Sequence, residues 1–158
     1  MTKHHLAAAA LAAISCMAMP SSAKAPSRVT VLSGSMARQV LHQCSRRTPA
    51  AGSSFFVPGA GDIEALDQGV ARSRDARLPT DARKVSSLHG GYAVEIIGIF
   101  RSGRRFVYGS YYPLRMQEGV KDAPSTPVIV CDGGSRFFGA EIDAASGRIT
   151  HLAFNGAR

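Results

Sequence analysis

The chain has 158 residues, 45% hydrophobic and 19% charged, with a mean hydropathy of −0.01 and a formal net charge of +8. That balance belongs to globular proteins and excludes a wholly disordered or collagen-like chain, and the length serves one hydrophobic core but not two.

A basic, polar start, Met1 to His5, precedes the uncharged run Leu6 to Ile14, which has the length of a secretory h-region and is too short to span a bilayer. Small residues before Ala23 and Ala25 fit signal-peptidase cleavage after either alanine. Lipoprotein processing at Cys16 is the alternative, since Ala13-Ile14-Ser15-Cys16 partly matches a lipobox. The expected organisation is a signal peptide over residues 1–25 and one exported domain over 26–158. The product is then periplasmic or secreted, or else anchored through Cys16. No later stretch reaches the length of a transmembrane span.

Arg28 to Leu32 reads either as a short lead-in strand or as a flexible arm. From Ser35 as N-cap, Met36 to Arg47 places Met36, Val40 and Cys44 on one helical face, with Arg46 and Arg47 in the last turn. Thr48 to Ser54 is a loop, and Phe55 to Pro58 leads into a second helix, Asp62 to Arg72, capped by Asp62 and striped by Ile63, Leu66 and Val70. Gly69 weakens that helix by roughly 1 kcal/mol relative to Ala. Residues 73–87, charged and weakly periodic, read as an exposed and mobile loop.

The period then changes to alternation. Tyr92 to Arg101 and Arg104 to Tyr112 form a hairpin across Ser102-Gly103, with Val94, Ile96 and Phe100 on one side and Glu95 and Arg101 on the other. Leu114 to Thr126 is a connection, and Pro127 to Cys131 a short buried strand. After the turn residues Asp132, Gly133 and Gly134, strands Arg136 to Asp143 and Arg148 to Phe154 pair across Ala144 to Gly147.

Helices followed by strands imply an α+β fold. One or two N-terminal helices pack on a four- to five-stranded antiparallel meander sheet. This order resembles the helix-on-sheet arrangement of cystatin-like domains. The closing EIDAASGRI segment, residues 141–149, resembles the last hairpin of PepSY domains, a pattern shared with generic hairpins.

Removing the leader leaves Cys44 and Cys131, and an even pair in an oxidising compartment predicts one disulfide tying the first helix to the sheet. Neither cysteine lies in a Cys-x-x-Cys motif, which argues against redox catalysis, and no zinc spacing occurs. Asp132, Glu141 and Asp143 lack the spacing of a calcium loop. No cofactor or metal is therefore expected. Without Lys3 and Lys24, 17 basic residues face 11 acidic ones, a net of about +6. Such a field attracts acidic envelope polymers or an acidic protein partner, whereas nucleic acid is excluded by export and by the lack of any recognised motif.

His42, His89 and His151 are scattered, and no Gly-x-Ser-x-Gly elbow accompanies them. The aromatic hairpin is more informative. Alternation sends Phe106, Tyr108 and Tyr112 to one face and Val107 and Tyr111 to the other, so a large ring faces either solvent or a second layer. Tyr beside Arg suits a contact surface.

The candidate binding residues are accordingly Tyr108, Tyr111, Tyr112, Arg104 and Arg105, with the Asp132, Gly133 and Gly134 turn. The expected function is a non-enzymatic exported binding module, such as an inhibitor or immunity protein for an envelope or secreted enzyme. The alternatives are a small envelope hydrolase using His151, Asp132 and Glu141, and a structural protein held to the cell wall by charge.

Overall fold

A computed structural model describes residues 28–80, 82–83, 91–117 and 126–156. The expected leader with Cys16, His89, the end of the 73–87 loop and most of the 114–126 connection lie outside them. Strands β1 (Val29–Val31), β2 (Ser54–Phe56), β3 (Tyr92–Arg101), β4 (Arg104–Pro113), β5 (Phe138–Asp143) and β6 (Ile149–Phe154) form one sheet. The helices are α1 (Gly34–Gln39) and α2 (Ala60–Arg72).

The fold is α+β with one disulfide, and its sheet is mixed. Strands β3 to β6 make the expected antiparallel meander. The edge of β3 is shared by two additions, β1 parallel to its first half (Val29↔Val94) and β2 antiparallel to its second (Ser54↔Phe100). The segment Arg28 to Leu32 thus takes the strand alternative at Val29–Val31, whereas β2 carries too little alternation to be read from sequence. The hairpin matches expectation: Ser102 and Gly103 both take positive φ, 50° and 70°, the left-handed pair that suits the twist of the flanking strands.

Helix α1 ends at Gln39, so Cys44 and Arg46 stand in the loop beyond it and not on the helix expected over Met36 to Arg47. Its closing turn tightens, with Leu41 N–H on the Arg38 carbonyl, and side chains take the carbonyls left over. Gln43 Nε2 donates to Val40 O and Thr48 Oγ1 to Leu41 O. Helix α2 begins two residues before Asp62, whose carboxylate reaches back to accept the Gly59 N–H at 3.0 Å. Within the expected loop after α2, Leu78 and Ala82 are buried in the core.

Both faces of the sheet are covered. On one, Leu66 and Val70 of α2 pack on Val94, Ile96, Val107, Tyr111, Phe138 and Ile142. On the other, Leu32, Ala37, Val40 and Leu41 pack on Ile97, Ile99, Phe106 and Tyr108. Residues 127–131 join no sheet and lie across this second face, their backbone groups held by side chains instead of a ladder. Cys131 is bonded there to Cys44, with Cα atoms 5.0 Å apart, and both cysteines are exposed.

Two glycines let side chains and layers close up. Tyr108 lies over Gly139, where any Cβ would strike its ring and hydroxyl, and at Gly69 a Cβ would stand 2.9 Å from Ile142 Cγ2. The absence of a side chain at 69 weakens α2 locally and lets it settle on β5.

Candidate functional site

At the β3–β4 hairpin end, each strand terminus carries arginine next to an aromatic ring. Arg101 makes a two-pronged ion pair with Glu141 at 2.7 and 3.0 Å, and its guanidinium stands 4.0 Å from the Phe106 centroid. Arg104 pairs with Asp143 beside the same ring. On the other face Arg105 pairs with Asp62 at 2.9 Å and lies 4.3 Å over Phe56, which in turn contacts the partly exposed Phe100. Planar guanidinium groups stacked on rings and forked onto carboxylates have lost much of their rotamer freedom in advance.

A polar cluster lies buried under the disulfide-linked segment. Glu95, fully enclosed, accepts the Val128 N–H on both oxygens, at 2.9 and 3.0 Å. Arg46 donates to Ser110 Oγ at 2.7 Å and Asn155 Oδ1 at 2.6 Å, and Asn155 Nδ2 donates to the carbonyls of Val130 and Asp132. Burial pushes the Glu95 carboxyl up to about 7, against the pull of the Val128 N–H and the Arg46 charge. Burial also raises the Tyr108 and Tyr111 hydroxyls, the latter reinforced by Asp67, which accepts its hydrogen bond at 3.3 Å.

The expected binding residues Arg104 and Arg105 and the expected Asp132 to Gly134 turn stand at opposite ends of the sheet. Arg101 faces Arg104 beside the Ser102-Gly103 turn, while the Asp132 to Gly134 turn precedes Phe138, which pairs with Tyr111 near the far end of β4. Seven residues of strand separate Arg104 from Tyr111, roughly 23 Å at about 3.3 Å each. Tyr108, Tyr111 and Tyr112 are inside the molecule, because the opposite-facing rings meet a second layer and not solvent. Of the expected hairpin residues, Arg104 and Arg105 stand exposed. Gly133 and Gly134 take φ of 103° and 61°, which accounts for the glycine pair by turn geometry.

His151 and Glu141 are cross-strand partners, but each is already engaged. His151 Nε2 contacts the Arg47 carbonyl at 3.0 Å, and the Glu141 oxygens accept from Arg101 and Thr150. Among the described residues, no group of three His, Cys, Asp or Glu is placed to hold a metal ion, and no helix is long and apolar enough to cross a membrane.

Sequence reasoning missed Arg46, whose role depends on the chain leaving α1 early. It also left the roles of Arg101 and Glu95 unassigned. Glu95 carried a signal, a lone acid inside the apolar run YAVEIIGIF. No protein-family model matches the sequence, and comparison with curated proteins and with solved structures returned no match.

Proposed function

We propose that the chain is an exported binding module that engages another envelope or secreted protein, as an inhibitor or immunity protein does, through its β3–β4 hairpin end. The observation that carries this reading is the set of Arg101, Arg104 and Arg105, stacked on Phe106 and Phe56 and pinned by carboxylates. Arginine and aromatic residues dominate binding hot spots, and side chains already fixed in place lose less entropy on association. The Cys44–Cys131 bond suits an oxidising compartment and holds the covering loops in place.

The test is capture from an envelope extract by the immobilised chain. A saturable partner retained at about 0.5 M salt, and lost with Arg104→Glu/Arg105→Glu, supports a specific interface at the hairpin, because salt screens diffuse attraction. Absence of any saturable partner, or retention indifferent to those substitutions, overturns it.

A further inference from the structure

We propose that the groove between the C-terminal end of α2 and the β5–β6 turn is a binding site for an anionic envelope polymer. It takes one phosphate or carboxylate group of that polymer between Arg72 and Arg148.

The groove is open, about 490 Å³ in volume. Arg72 and Ser73 form one wall, Ser146 and Arg148 the other, and Gly69 and Ile149 also line it. It has room for a unit or two of a polymer and not for a protein surface. Its width is set by glycine. A Cβ at Gly69 would meet Ile142 Cγ2 at 2.9 Å and the Gly147 carbonyl at 3.4 Å, and Gly147 itself takes φ of 65°.

Charge is used differently here than at the hairpin end. Arg77, Arg101, Arg104 and Arg105 are each held by an acid of the same chain. Arg72 and Arg148, both exposed, make no ion pair among the described residues. Arg72 donates only to the neutral Gln68 Oε1, at 3.2 Å. Asp143, the acid next to the β5–β6 turn, is turned away from them. Its Oδ1 accepts from the Ala145 and Ser146 N–H groups and the Ser146 hydroxyl, and Oδ2 from Arg104.

Two guanidiniums therefore line one concavity with their positive charge uncompensated. The Ser73 hydroxyl, which accepts the Asp75 N–H, keeps its own proton to donate. Phosphate and carboxylate oxygens match guanidinium forks, and a chain whose net charge stays at about +6 without Lys3 and Lys24 draws polyanions toward the site. Arg72 also complements the α2 dipole in the last turn. That role affects helix stability and not ligand affinity, so the two separate in experiment.

The inference stands apart from the hairpin reading and goes beyond it. The probes are polyphosphate and alginate, a polyuronate, titrated into the full chain by calorimetry with backbone NMR. Saturable binding with amide shifts centred on Gly147 and Arg148 is expected. The tighter probe tells phosphate from carboxylate. Arg72→Gln/Arg148→Gln weakens binding at least about tenfold, while Arg38→Gln/Arg105→Gln, at exposed arginines away from the groove, changes it less than about twofold. Arg72→Lys/Arg148→Lys, which keeps the charge and loses the fork, falls between, and melting curves establish that each variant is folded. Failure of both probes to saturate, or equal weakening by both glutamine pairs, overturns the site. Envelope-protein capture through the hairpin is indifferent to Arg72→Gln/Arg148→Gln, so the two readings fail separately.

Discussion

On the α2 face of the sheet, Phe138 lies flat against Tyr111 with ring centroids 4.6 Å apart, and Leu66 and Ile142 complete a core that is apolar around the hydrogen bond from the Tyr111 hydroxyl to Asp67. On the opposite face the alternate residues of the same strands are Glu95, Ser110, Glu141 and Asp143, all buried. A largely apolar face answers mainly to volume. A buried polar face answers to whatever changes its partners, because each group depends on a named hydrogen bond or charge.

The largest effect should come from the disulfide that holds the covering segment over the polar face. Cysteines 87 residues apart close a long loop, and by the chain-entropy model Cys44→Ser/Cys131→Ser costs about 4–5 kcal/mol, measured by urea unfolding. The loss should be uneven. Amide exchange at Val128 and its neighbours should rise first, ahead of the paired amides of β4 and β5. Loss of protection at the same rate in both places would break the distinction between the faces.

A contrast of two substitutions sharpens it further. Phe138→Ala, on the largely apolar face, should cost about 4 kcal/mol at pH 5 and at pH 8 alike. Glu95 should behave differently, because its folded carboxyl titrates near 7 and its ordinary value is 4.5. The native state binds this proton more tightly than the unfolded chain does. That stabilisation is complete below pH 4.5 and lost as pH rises through 7, a swing of about 3 kcal/mol. Glu95→Gln keeps an acceptor for the Val128 N–H and should flatten the decline between pH 5 and 8. Asp143, held low by the Ser146 N–H and hydroxyl and by Arg104, and Asp75, held at about 2 chiefly by Arg77, act with the opposite sign in more acidic solution. A decline that persists in Glu95→Gln would place the titrating group elsewhere.

The meander was legible because strands of six to ten residues alternate clearly and Ser102-Gly103 and the residues around Gly147 mark their turns. The disulfide was legible from the cysteine count and the inferred compartment. Of the three-residue strands, β1 lay within the Arg28 to Leu32 segment read as either strand or arm, and β2 was not legible, since it is defined by the β3 edge it occupies and not by a period of its own. The early end of α1 was hidden for a related reason. Met36, Val40 and Cys44 keep helical spacing on paper, yet the chain leaves the helix, and Cys44 reaches Cys131 and Arg46 reaches Ser110 from the loop. Burial of the hairpin tyrosines required knowing that the sheet is covered twice, and segments far from the hairpin provide the second cover.

The smallest effect is expected where the two faces meet solvent, at the hairpin end. Arg105 is half exposed in its pair with Asp62, so water and salt screen the attraction, and the Phe56 ring keeps most of its contacts with Gly98 and Phe100 when the guanidinium is removed. Arg105→Gln should therefore cost less than about 1 kcal/mol in urea unfolding and show no pH dependence between 5 and 8. A cost several times larger would mean that this end is part of the core's support, leaving little of it to spare for a partner. A cost near zero, with partner capture weakened by the same substitution, would separate what the arginine does for the fold from what it does outside it.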